Sequence, residues 1–228
     1  MRVTVGCSAK NSSPHRELAG TTEPRYTGGM RLYGTLTSPF VRRVAVLASE
    51  LGQGLEFVDT TTPDGQAALA RLTPLRKVPV LERGGVAVFD SHAISELLLA
   101  EHGAGQLRPA RASTRIAEGN MIHAVDGALE SAIRLFYFRR DRVDIEAIPY
   151  MRTERERVER TLAWLEGQVR GPWCTAEDGF GLAELALVTT LEWMQFRAIT
   201  PLDAYPNLLA LAAHHAQRPS LVGTRPPT

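Results

Sequence analysis

The sequence predicts an α/β unit followed by an all-helical unit. Three observations carry this reading. From Met30 onward, short apolar runs alternate with helical patterns in the order β-α-β-α-β-β-α. The stretch Gly103 to Ser113 then breaks all periodicity with glycines and a proline. Every periodic segment beyond that break is helical. The expected organisation is a mobile extension over residues 1–29, an α/β unit over 30–104, a linker over 105–113, a helical unit over 114–222 and a tail over 223–228.

Residues 1–29 are rich in Ser, Thr, Gly and Pro and show neither period, which is the reason to expect no packed element there. Cys7 falls in this extension and is given no role. The first strand is expected over Arg31 to Thr35 and the first helix over about Pro39 to Leu51, where Pro39 suits the first helical turn and Ser38 is a favoured N-cap. A strand over Leu55 to Asp59, a polar loop and a short helix over about Gln66 to Leu72 follow. The runs Val78 to Arg83 and Val86 to Phe89 flank Gly84-Gly85, a hairpin signal, so these two strands should be antiparallel. The first two strands, joined by a helix, should be parallel. A helix over Ser91 to His102 closes the unit.

In the second unit, helices are expected over Thr114 to Arg139, Tyr150 to Val169, Gly181 to Arg197 and Pro206 to His215. Val158, Leu162, Leu165 and Val169 recur at helical spacing, and the alternating charges of Arg152 to Arg157 read as a solvated face. The segment Leu182 to Met194 is apolar on nearly every side and should be the buried core helix, with Trp193 and Met194 in the core. Gly181 followed by Glu184 is half a capping box.

Composition bounds the function. With 228 residues, 44% hydrophobic and 22% charged, and a formal net charge of +1, the chain can bury a sizeable core and carries no dense cationic cluster of the kind that nucleic acid demands. Cys7 and Cys174 show no metal-ligand spacing, so neither a disulfide framework nor a metal site is expected. No apolar run is long enough to span a membrane and no secretory h-region is visible, so a cytoplasmic location is expected.

Three motifs carry the chemistry. In Leu32 to Val44, an apolar run passes through Thr35, Thr37 and Ser38 into a helix, which presents a hydroxyl where free N–H groups and the helix dipole favour an anion. In Thr73 to Leu81, Pro79 interrupts a strand. A cis peptide there would turn the backbone of Val78 toward a ligand laid alongside. In Phe89 to Ile94, Asp90 could balance an ammonium group, while Ser91 reads as an N-cap whose N–H and hydroxyl could instead hold a carboxylate or phosphate. Singly, each has a purely structural explanation as a cap or an edge-strand proline.

In this order and spacing, including the twelve-residue step from Val78 to Asp90, the motifs resemble those of the glutathione transferase superfamily over Met30 to Val222. The small bacterial members, which open with a tyrosine-containing strand and a Thr-Ser-Pro-aromatic-Val-Arg turn, are the most similar. The resemblance implies a thioredoxin-like N-terminal domain holding glutathione as co-substrate, an all-helical C-terminal domain holding a small hydrophobic electrophile, a homodimer, a detoxification role, and no metal. It implies that Ser38 donates to the glutathione sulfur, with Thr35 and Thr37 as alternatives and Tyr33 a weaker one. Val78, before cis-Pro79, would pair with the cysteinyl backbone, and Asp90 and Ser91 would hold the γ-glutamyl end.

Two departures stand out. The loop Thr60 to Gln66 lacks the cation that serine-type members often offer the glycyl carboxylate, leaving Lys77 or Arg76, and less well Gln66, to replace it. Threonine also stands before Pro74 where asparagine is common. The acceptor site should lie between Ser38 and the first long helix of the second unit, which carries His123, Asp126, Arg134 and Tyr137. Alternatives on the same fold are a glutathione-binding or protein-interaction module without turnover, and a glutathione-dependent isomerase, dehalogenase or peroxidase.

Overall fold

The structure is a computed structural model, and it describes residues 28–174 and 179–226. The expected extension lies outside the described residues up to position 27, as does the end of the expected tail at 227–228. The element order is β1 (Arg31–Tyr33), α1 (Pro39–Glu50), β2 (Glu56–Val58), α2 (Pro63–Leu72), β3 (Val80–Arg83), β4 (Val86–Phe89) and α3 (Ser91–His102). There follow α4 (Ala112–Arg140), α5 (Pro149–Gln168), α6 (Leu182–Phe196), α7 (Pro206–His215) and the short α8 (Pro219–Val222). This is the small mixed sheet with a helical second half that the sequence predicts.

The sheet order is β2-β1-β3-β4, with β1 and β2 parallel and the other pairs antiparallel. Its period-2 pattern separates two faces. Leu32 and Leu81 point into the main core beside Leu47, Ile94 and Leu98 of α1 and α3, whereas Tyr33 and Val80 pack with Leu69 of α2 on the other side. The main core runs without a break into the helical half through Val125 and Leu129 of α4, Leu162 of α5 and Leu185 and Leu187 of α6. Twelve of the fifteen residues of α6 are buried, Trp193 and Met194 among them. Its half capping box is present, since Glu184 accepts from the N–H of Gly181 at 3.0 Å and from that of Cys174 at 2.6 Å.

Several sequence expectations are corrected. The short helix begins at Pro63, inside the expected polar loop, because Thr62 caps it by accepting from Gly65 N–H at 3.1 Å. Glycine is required at 65, where a Cβ would stand 1.9 Å from the Asp59 carbonyl oxygen. The third strand starts at Val80 rather than Val78, since Pro79 has no N–H to enter a ladder. The N-cap of α3 is Asp90, not Ser91. Within the expected linker, a 3-10 turn forms over Gly105–Leu107 and α4 begins at Ala112.

The face expected to be solvated on α5 contains a fully buried carboxylate. Glu154 falls at helical spacing between Met151 and Val158, so it is drawn into the α4–α5 seam. There it pairs with Arg134 Nη2 at 2.7 Å and with Arg157. Burial alone would raise the carboxyl, but these arginines and the hydroxyls of Ser131 and Tyr150 outweigh it and hold it at about 2.

Two clusters fasten α1 to the helical half. Arg42, 2% exposed, donates from Nε to the Thr224 carbonyl at 3.0 Å and from Nη2 to the Leu221 carbonyl at 3.2 Å, while Nη1 pairs with Glu192 of α6. At the end of α1, Glu50 accepts from Arg218 at 2.8 and 3.2 Å and from the Ser220 hydroxyl.

Candidate glutathione site

Sheet register brings the three motifs to one edge. Tyr33, the last residue of β1, pairs with Val80, and Val80 pairs with Phe89, the last residue of β4. The turn after β1, the Val78-Pro79 step before β3 and the Asp90-Ser91 entrance to α3 therefore lie side by side. The Val78–Pro79 peptide is cis, as is Phe89–Asp90. Gly34 makes the first approach possible. With φ of 135°, it holds the turn so close that a Cβ would lie 2.4 Å from Val41 Cγ2 and 3.2 Å from Val78 Cβ.

Ser38 closes this turn in an extended conformation, its N–H donating to the Thr35 carbonyl at 3.0 Å. Its Oγ accepts from Val41 N–H at 3.4 Å, a long contact for a cap, and the hydroxyl proton is left without an acceptor among the described residues. The hydroxyls of Thr35 and Thr37, by contrast, bond to each other at 2.7 Å. Ser38 is half-buried at the N-terminus of a twelve-residue helix with no acidic side chain in its first turn to compete for the dipole.

At the neighbouring helix, Asp90 Oδ1 accepts from His92 N–H at 2.9 Å and Ala93 N–H at 3.3 Å, while Oδ2 has no partner among the described residues. Ser91 occupies the first helical position and is 2% exposed. Val78 is half-buried between these two helix starts. Lys77 and Arg76 lie exposed on the adjacent loop and make no ion pair among the described residues; Arg76 is left-handed with φ of 51°. The edge thus offers a free hydroxyl, backbone groups, a carboxylate oxygen and two free cations, the set needed by a thiol-bearing peptide with charged ends.

The helical residues expected to face the acceptor meet different surroundings. Asp126 lies between Arg43 Nη2 at 2.7 Å and His92 Nε2 at 2.6 Å, which ties α4 to α1 and α3. Burial alone would raise the Asp126 carboxyl, but the His92 hydrogen bond and the Arg43 guanidinium hold it below its usual range. The same hydrogen bond raises His92 against the opposing effect of burial. Arg134 is bound to Glu154. His123 is exposed, one turn before Asp126. Tyr137, 47% exposed, packs edge-on against Phe136 with Arg140 over its ring at 4.7 Å. Sequence reasoning missed Arg43 and His92, although His92 directly follows the Asp90-Ser91 motif.

Among the described residues, no cluster of side chains has metal-ligand arrangement, and no helix is long and apolar enough to cross a membrane.

Known proteins resemble this chain over both halves. The family descriptions for the glutathione S-transferase N-terminal and C-terminal domains match residues 32–106 and 120–214. An uncharacterized GST-like protein of Escherichia coli K12, YibF, is 29% identical over 203 residues, covering 87% of this chain and 99% of its own. A glutathione transferase family member from Pseudomonas fluorescens Pf-5, solved with bound glutathione, superposes with a TM-score of 0.77 at 27% identity, covering 88% of this chain and all of its own. A glutathione S-transferase from Methylobacillus flagellatus KT with bound glutathione gives 0.77 at 26%, over 87% of this chain. Matched across both halves, the chain belongs to the glutathione S-transferase superfamily.

Proposed function

We propose that the protein is a glutathione transferase in which Ser38 donates its hydroxyl proton to the glutathione sulfur and stabilises the thiolate. The observation that carries this is the position of Ser38: it is the N-cap of α1, and its long 3.4 Å cap contact leaves the hydroxyl proton free there, while neither Thr35 nor Thr37 caps the helix and one of them spends its proton on the other. The thiol proton leaves to solvent; the thiolate then forms a bond to the electrophilic carbon as the leaving group departs. A free thiol of pKa about 8.5 is only a few per cent ionised at neutral pH, so lowering it by two units requires about 2.7 kcal/mol of preferential anion stabilisation. A charge-assisted hydrogen bond and a helix terminus together supply that amount.

In this reading Val78 pairs with the cysteinyl backbone, Asp90 Oδ2 meets the γ-glutamyl ammonium, Ser91 at the first turn of α3 meets its carboxylate, and Lys77 or Arg76 meets the glycyl carboxylate. The electrophile enters between Ser38 and α4, and the protein acts as a cytoplasmic homodimer. The relatives solved with bound glutathione support the ligand.

The test is the ultraviolet absorbance of the thiolate of bound glutathione, titrated against pH. The wild type is expected to lower the thiol pKa by one to two units, about 1.4–2.7 kcal/mol. Ser38→Ala is expected to raise the pKa back and to lower kcat/KM about a hundredfold, the order of effect seen when one anion-stabilising donor is removed. A thiol titrating at its free value in the wild type overturns the mechanism. A lowered value unaffected by Ser38→Ala transfers the role to Thr35 or Thr37. A second reading, glutathione binding without turnover, draws on the cation-free loop Thr60 to Gln66, and bound glutathione with an unshifted thiol decides for it.

A further inference from the structure

Observations along α1, α4 and α6 fix how the helical half lies on α1. The end of α1, at Glu50 and Leu51, lines one cleft with Gly179 and Phe180 at the start of α6. One turn inside the other end of α1, Arg42 pairs with Glu192 near the end of α6. The two helices are therefore antiparallel, and the last turn of α6 lies level with Ser38. Helix α4 runs parallel to α6, since Phe136 stacks edge-on against Trp193 with ring centroids 5.9 Å apart and Arg139 donates to the Ile199 carbonyl at 3.0 Å. The ends of α4 and α6 thus meet just past the N-terminus of α1.

What gathers there is aromatic and cationic. The Arg197 guanidinium lies over the rings of Phe136 at 4.8 Å and Phe196 at 4.5 Å. Of the neighbouring arginines, Arg139 is engaged by a carbonyl and Arg140, which lies over Tyr137, by Asp141. Arg197 has no carboxylate and no hydrogen-bond acceptor among the described residues, and its Nε is buried without a partner. The buried Nε is closed to any incoming molecule, so the groups left to meet one are the two Nη, which are not enclosed and make no hydrogen bond among the described residues. Arg197 is held at the end of α6, where Ala198 turns left-handed with φ of 49° and the N–H of Ile199 reaches back to the Met194 carbonyl at 3.1 Å.

Resting on the transferase reading, we infer that Arg197 is a specificity residue of the acceptor site, and that the electrophile is an aromatic or extended apolar molecule carrying a carboxylate or similar planar anion. Phe136 and Phe196 take its apolar body. The rings hold the faces of the guanidinium, which leaves its N–H edge to receive two anionic oxygens in parallel. Lysine lacks that planar fork and cannot replace it fully.

The test uses the full chain at saturating glutathione with a chlorodinitrobenzoate and its methyl ester, which share a reacting centre and differ by one charge. With each kcat/KM divided by the rate constant of the same compound with free glutathione thiolate, which removes the ester's greater intrinsic reactivity, the wild type is expected to prefer the acid about tenfold, equivalent to about 1.4 kcal/mol. Arg197→Gln should bring the acid-to-ester ratio to about one, with Arg197→Lys between the two. A wild type that does not favour the acid, or a ratio that survives Arg197→Gln, overturns the inference. Binding of the unreactive dinitrobenzoate and its ester, read by tryptophan quenching with S-methylglutathione filling the neighbouring site, repeats the comparison without chemistry. An acid preference that persists when the glutathione thiol is not ionised overturns the transferase reading alone. An ionised thiol with no acid preference overturns this inference alone.

Discussion

The two ends of α1 are finished in opposite ways. At its last turn, Glu50 takes three hydrogen bonds from Arg218 and Ser220, and the N–H of Leu51 reaches back to the carbonyls of Leu47 and Ser49. One turn inside the other end, Arg42 is bound on all sides by Glu192 and two carbonyls. At the first turn itself, Ser38 has a single long contact and a free proton. Polar groups in the first case are saturated by the chain; in the second they are left for something else. The same helix is thus anchored along its length and open at its tip, as a scaffold that positions a reacting group must be.

The largest effect should come from breaking the anchor. Arg42→Met leaves Glu192 and two buried carbonyls without their donor and should cost about 3 kcal/mol or more, a fall in Tm of roughly 6–12 °C by thermal denaturation. Ser38→Ala removes only a weak cap and should cost no more than about 1 kcal/mol. If the two variants lose equal stability, the contrast between the ends is wrong.

Next in size is Glu50→Gln, expected to cost about 1–2 kcal/mol at pH 7. Burial alone would raise Glu50, but Arg218 and Ser220 hold it below 4.5, so its ionic contribution is present above that value and is lost as pH falls through the folded value. The stability gap between wild type and variant should therefore narrow on acidification, and a gap constant down to acid pH would show that the carboxylate charge is irrelevant.

The smallest effect concerns His92, beside the open end. Its Asp126 partner raises it above 6.5, so the pair's stabilisation is complete below that pH and fades as pH rises through the folded value. With 55% of its side chain exposed, screening limits the contribution to a few tenths of a kcal/mol, and His92→Gln should lower Tm slightly at pH 6 and not at pH 9. The opposite pH trend would place the proton elsewhere.

Much of the fold was legible because local rules carry it. Helices α1, α3 and α7 follow from caps, prolines at the first turn and a clear period, and the Gly84-Gly85 hairpin from its turn residues. The three site motifs were legible for the same reason: a Ser-Pro helix start, a proline in a strand and an Asp-Ser helix start each punctuate a regular pattern. Their convergence needed the β1–β3–β4 register, which no local rule contains. Ion clusters were hidden because charge at helical spacing reads as solvent-facing, which is why Glu154 was misplaced and the Arg43–Asp126–His92 set was split. Arg197 was hidden more deeply, since what distinguishes it is the lack of a partner.

Helix α6 also has the length of a lever arm. Its root is held by Glu184 on two backbone N–H groups, and its tip carries Phe196 and Arg197. Fifteen residues at about 1.5 Å each make an arm of about 22 Å, so a tilt of about 3° at the root swings the tip by about 1 Å. Displacements of that size at a reacting centre can change rates by about a hundredfold. Substitutions around Cys174 and Gly181, at the other end of α6 from Arg197, would then register as altered electrophile selectivity as well as lost stability.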